Sequence, residues 1–125
     1  MKNVKESANF IWSIADLLRG DYKQSDYGKV ILPLTVLRRL DCVLEKSKAD
    51  VLKKFEQLKT TNLENLDPIL NKTAGFNFHN KSQFDFNKLI ADPNNIATNL
   101  RNYINGFSED AREIIEQFEF ENQIN

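Results

Sequence analysis

Apolar side chains recur along the chain at spacings of three and four residues, separated by short polar stretches. Phe10, Ile11, Ile14, Leu17 and Leu18 form one such stripe, the face of an amphipathic helix. Gly20 stands where a helix-ending glycine belongs, Asp21-Tyr22-Lys23-Gln24 reads as a connection, and Ser25 or Asp26 can cap the second helix. From Val30 to Leu44 ten of fifteen residues are apolar, so the second helix is predicted to be buried on nearly all sides. Pro33 lacks an amide hydrogen and crowds the carbonyl of Lys29, which predicts a kink over Gly28 to Pro33.

Ser47 is placed to cap a third helix carrying Val51, Leu52, Phe55 and Leu58, which Thr60-Thr61-Asn62 breaks. Leu63, Leu66, Ile69 and Leu70 predict a short fourth helix closed near Gly75, with Pro68 early enough to be tolerated. Phe76-Asn77-Phe78 alternates as a strand would, over too few residues for a sheet. Ser82, with Asp85 three residues on, resembles a capping box before Phe84, Leu89 and Ile90. Asp92-Pro93 is a helix start; Ile96, Leu100, Tyr103, Ile104 and Phe107 come next on one face, and Asn105-Gly106 closes that helix. Ser108 is placed to cap a last helix, in which Glu109 and Asp110 suit the positive N-terminus and Ile114, Ile115 and Phe118 are its apolar face. The expected fold is all-α: a compact bundle of about six to seven short helices around a buried, proline-kinked second helix.

The 125 residues suit one domain. A chain of that length buries roughly two-thirds of its unfolded surface and needs no disulfide or metal staple. With 41% apolar and 28% charged residues, it is not mainly disordered. The longest apolar stretch, Val30 to Leu37, falls far short of the ~20 residues of a membrane span. The opening Met1 to Glu6 lacks the pattern of a signal peptide, so a soluble, cytoplasmic protein is expected. Phe120 and Ile124 are apolar with nothing after them to cover them, so residues 1–125 are expected to be cut from a longer chain.

Charge is divided unevenly. Residues 1–59 carry 12 Lys and Arg against 8 Asp and Glu, while residues 60–125 carry 5 against 10. The halves are either two solvated faces or a basic half facing an anion such as DNA and an acidic half facing protein.

The single Cys42 excludes an internal disulfide and a cysteine-based zinc site, and its Leu and Val neighbours predict a buried, inert thiol. The single His79, in the polar turn Phe78-His79-Asn80-Lys81, reads as a surface histidine. Gly20, Gly28, Gly75 and Gly106 are too far apart for a phosphate-cradling loop. No nucleophile with a base or second acid occurs at local spacing. No catalytic, cofactor-binding or metal-binding residue is expected in this chain.

Binding signals remain. Lys29, Arg38, Arg39 and Lys46 interrupt the apolar second helix. They either reach its rim or form an ion pair, for instance Arg38 or Arg39 with Asp41 or Glu45, or they contact phosphate or an acidic partner. Tyr22 and Tyr27 either belong to a recognition loop or pack a helix junction. Trp12 is either core edge or interface anchor. The candidates for contact with DNA or a partner are Lys29, Arg38, Arg39, Tyr22 and Tyr27.

The runs Phe10-Ile11-Trp12-Ser13-Ile14-Ala15-Asp16-Leu17-Leu18-Arg19-Gly20 and Tyr27-Gly28-Lys29-Val30-Ile31-Leu32-Pro33-Leu34-Thr35-Val36-Leu37-Arg38-Arg39-Leu40-Asp41 closely resemble the N-terminal segment of modification (M) subunits of type I restriction–modification systems. Asn99 to Phe107 and Phe118 to Ile124 look like that family too. The resemblance implies a helical domain preceding an adenine-N6 DNA methyltransferase domain that uses S-adenosylmethionine. It also implies DNA, a specificity subunit, a second M subunit and restriction (nuclease/translocase) subunits as partners, with no membrane. The family's glycine-rich cofactor loop and Asn-Pro-Pro-aromatic motif are not in this sequence, whose three prolines are isolated. No catalytic residue carries over. Two functions are compatible with these residues: a DNA-engaging and assembly domain of such a methyltransferase subunit, or a helical protein–protein scaffold without direct DNA contact. The basic first half favours the former and the net charge of −1 the latter.

Overall fold

The computed structural model describes residues 4–18 and 27–117. Seven α-helices are found there: α1 (Val4–Leu17), α2 (Tyr27–Leu44), α3 (Lys48–Leu58), α4 (Asp67–Ala74), α5 (Phe86–Ala91), α6 (Ile96–Asn105) and α7 (Glu109–Glu116). A 3-10 turn, Pro93–Asn95, leads into α6. Among the described residues the only β pairing is an isolated antiparallel bridge between Asn80 and Phe107, so the domain is all-α. The expectations for Gly20, residues 21–26, Phe118, Phe120 and Ile124 lie outside the described residues.

Helix α1 packs on α2 and α5, α3 on α4, and α6 on α5 and α7. The shared core takes Ile14 and Leu18 from the first segment, Val30, Leu34 and Leu37 from α2, Val51 from α3 and Leu70 from α4. Phe86, Leu89, Ile96, Leu100, Tyr103, Ile104, Phe107 and Ile115 also belong to it. Tyr103 meets Phe86 and Phe107 edge to face, at ring centroid distances of 6.1 and 5.1 Å, the favoured aromatic geometry.

Helix α2 runs unbroken through Pro33. It is not buried all round. Leu32 is 58% and Val43 39% exposed, although both are as apolar as the buried Leu34 and Leu37. A domain this small has too few layers to cover every side of an 18-residue helix.

Local signals differ in detail from the sequence expectations. Asp85, not Ser82, caps α5: its carboxylate accepts the amide hydrogen of Lys88. The Ser82 hydroxyl instead accepts from the Phe84 amide and donates to Asn102. Helix α4 begins at Asp67, so Leu63 lies outside it and is exposed. Its end is as expected, with Gly75 at φ 84°, a conformation that favours glycine. Asp92-Pro93 opens the 3-10 turn, and the Asp92 carboxylate accepts from the side chains of Asn95 and Asn99. Ser47 and Ser108 hold N-cap positions without side-chain caps. The first amide of α7, that of Glu109, donates to Asp67 of α4 at 3.0 Å, so a carboxylate from another helix serves that N-terminus.

Candidate functional site

The two adjacent arginines part company on α2. Consecutive residues point about 100° apart on a helix, and here one step separates solvent from core. Arg39 is exposed, whereas Arg38 is 1% exposed. The Arg38 guanidinium donates to Asp41 Oδ2 at 2.7 Å, one turn along. It lies 4.3 Å from the ring centroid of Phe10 on α1 and 5.5 Å from that of Phe86 on α5. Its Nε and Nη2 have no hydrogen-bond acceptor, so the aromatic faces take much of the place of polar partners. Arg38 is therefore not placed to touch DNA phosphates. Its role is the ion pair with Asp41, one of the two expected for this helix.

Around this pair lies a polar cluster that joins α2, α3 and α6 with the segment between α4 and α5. Asp41 Oδ1 accepts from the Tyr103 hydroxyl at 3.4 Å. Burial raises the Asp41 carboxyl above its ordinary value, and Arg38 opposes that shift. Burial and the neighbouring Asp41 raise the Tyr103 phenol well above its usual range. Lys48 of α3 donates to Asn80 Oδ1 at 2.8 Å, and its ammonium lies 5.6 Å from the Tyr103 ring centroid. Burial lowers Lys48 to about 8. A cavity of about 70 Å³ opens between Asp41, Lys48, Asn80, Asp85 and Tyr103, room for little more than water. Apart from Asp41 as a partner for Arg38, nothing local in the sequence marks this cluster, because its members come together only through tertiary packing.

His79 is a second departure, since it is fully buried. The segment 79–82 is held against residues 106–108 by backbone bonds from Ser108 to His79 and from Lys81 to Gly106. A Cβ on Gly106 would stand 2.6 Å from the Ser82 backbone nitrogen and Cβ, so the missing side chain permits this close approach. His79 Nδ1 lies 2.7 Å from Asn71 Oδ1; with that oxygen as acceptor, Nδ1 carries the proton. Nε2 then has no partner and stands 3.7 Å from Asp67. Burial lowers His79 to about 4, and Asp67 offsets this only partly.

This burial makes stability depend on pH. The imidazole titrates at about 6.5 when unfolded and about 4 in the fold. The unfolded chain therefore binds the extra proton between these values, and stability present above pH 6.5 is lost as pH falls towards 4. By pH 5 the expected loss from this group is about 2 kcal/mol. Urea unfolding at pH 7 and pH 5 should show that loss in the native chain and its absence in His79→Gln. Equal pH dependence in the two proteins would mean that His79 is not held neutral.

The remaining candidates sit outside the core or outside the described residues. Lys29 and Arg39 are exposed, as is Lys46 just after α2. Tyr27 is the first residue of α2, its side chain beyond the described atoms, and Tyr22 lies outside the described residues. Trp12 is 48% exposed. Cys42 is half-buried rather than buried. Leu32, Val36, Arg39 and Val43 share one face of α2 at helical spacing, and Val36 is half-buried there.

Among the described residues no group of three His, Cys, Asp or Glu side chains is placed to hold a metal. No helix there is long and apolar enough to cross a membrane. Of the glycines among the described residues, Gly28 lies within α2, while Gly75 and Gly106 end two different helices.

Fold and site thus define an all-α domain whose buried polar groups serve its own interior and whose outer α2 face is mixed basic and apolar. Residues 7–125 match the family model of the HsdM N-terminal domain. The chain belongs to that family, the N-terminal domain of the M subunit of type I restriction–modification systems, and is thereby part of a methyltransferase subunit. Neither the curated proteins nor the solved structures give a match.

Proposed function

We propose that this domain engages DNA and supports assembly in an adenine-N6 DNA methyltransferase subunit, with S-adenosylmethionine chemistry carried outside this chain. One observation carries the reading. The only carboxylate on α2, Asp41, is turned inward onto Arg38, while Lys29 and Arg39 are exposed beside Leu32, Val36 and Val43. Such a face suits both a phosphate backbone and the apolar surface of a neighbouring subunit. Contacts to phosphate give affinity without sequence choice, consistent with a system that keeps target choice in a specificity subunit. A second M subunit and restriction subunits are the other partners in this reading, and the cytoplasm is its location.

The test is the assembled methyltransferase complex carrying Lys29→Ala with Arg39→Ala, titrated with duplex DNA at several salt concentrations. The dependence of log affinity on log salt should flatten by about 0.9 for each phosphate that the variant no longer neutralises. An unchanged slope in an intact complex would remove DNA from this face. Failure to assemble, with the domain still folded, would make the face a subunit interface and favour the scaffold function.

A further inference from the structure

Helices α3 and α4 line an open groove of about 610 Å³, formed by Lys54, Pro68, Ile69, Lys72 and Thr73. No carboxylate lines it. Among the described residues neither lysine is ion-paired. Glu56 holds Lys59 at 2.8 Å, Asp67 accepts from the Glu109 amide and faces His79, and Asp50, one turn before Lys54 on α3, makes no ion pair with it. The Thr73 hydroxyl donates to the Ile69 carbonyl, so the groove presents little polar chemistry beyond its two ammonium groups. Its remaining surface is Pro68, which is exposed, and Ile69, which is half-buried.

We infer that the α3–α4 groove receives an acidic amphipathic helix from a partner protein, its apolar stripe on Pro68 and Ile69 and its carboxylates on Lys54 and Lys72. Helix-in-groove docking needs an apolar floor for anchors spaced at three and four residues, and flanking charge selects the partner by complementarity. A phosphate backbone fits less well, because it would use the two lysines while covering an apolar floor it cannot reward. The inference rests on the assembly role proposed above and gives that role a partner chemistry. It concerns a different surface from the α2 face, so the two can fail separately.

The experiment is a nuclear magnetic resonance titration of the 125-residue chain with a synthetic helical peptide carrying glutamates beside a leucine stripe. Amide shifts are expected at Lys54, Ile69, Lys72 and Thr73. They should be absent with the same peptide bearing glutamine for glutamate. Lys54→Glu with Lys72→Glu should weaken binding at least about tenfold, and Lys54→Arg with Lys72→Arg should preserve it. If charge reversal unfolds the chain, Lys54→Gln with Lys72→Gln replaces it, with a loss again expected. Binding that ignores these changes, or no binding at these residues, overturns the inference. Stronger shifts of the same amides by a duplex DNA oligonucleotide overturn it too, and assign the groove to nucleic acid. Any of these failures leaves the salt-slope result for Lys29 and Arg39 standing on its own.

Discussion

Arg38→Ala is expected to lower the unfolding free energy by about 3–5 kcal/mol, the range for breaking a buried ion pair from one side. The substitution does two things at once. It removes the donor 2.7 Å from Asp41, leaving a carboxylate that burial already disfavours in its charged form. It also empties the space against the rings of Phe10 and Phe86, a packing loss separate from the charge. Two further variants separate these effects. Arg38→Met restores volume but not the donor, so it should recover only the packing part. Arg38→Met with Asp41→Asn removes the stranded charge, and the pair should couple favourably in a double-mutant cycle. Arg39→Ala, one residue on and exposed, should change stability by no more than about 0.5 kcal/mol. Equal small effects at both positions, measured by urea unfolding, would mean that Arg38 does not sit in the core.

The contrast between these arginines marks the reach of periodicity in one dimension. Apolar spacing places helices well where one face is clearly apolar: Ile96, Leu100, Tyr103, Ile104 and Phe107 are all buried as their spacing predicts. It places them less well where apolar residues surround the helix. Leu32 and Leu34 are chemically alike, and Ile114 and Ile115 are both apolar. In each pair only the second is buried, because neighbouring helices cover one side. Polar residues are harder still. His79 sits among polar neighbours in sequence, and its burial comes from residues 106–108 closing over it. Lys48, Asn80 and Tyr103 meet across intervals of 23 and 32 residues, and no local pattern encodes such meetings. The family was legible in the runs of α1 and α2 because they combine core positions with Arg38, Asp41 and Pro33. The two cations on the outer face, Lys29 and Arg39, could not be told from Arg38 without the fold.

Leu34→Ala and Leu37→Ala are each expected to cost about 2–5 kcal/mol, the loss for truncating a buried leucine. Both side chains are fully buried in the core cluster, on the helix against which α1 packs. The cost has a transfer part and a cavity part, and the cavity part depends on how far the neighbours relax. Leu32→Ala is the internal control. It changes the same residue type on the same helix, two positions and about 200° away from Leu34, where the side chain is 58% exposed. Its expected effect on stability is within about 0.5 kcal/mol. Urea unfolding with a common m-value reads all three. Losses below about 0.5 kcal/mol at both Leu34 and Leu37 would contradict the placement of α2 in the core. A large loss at Leu32 would show that its face is covered in the folded chain, and the mixed basic and apolar surface proposed to meet DNA and partner subunits would then not exist.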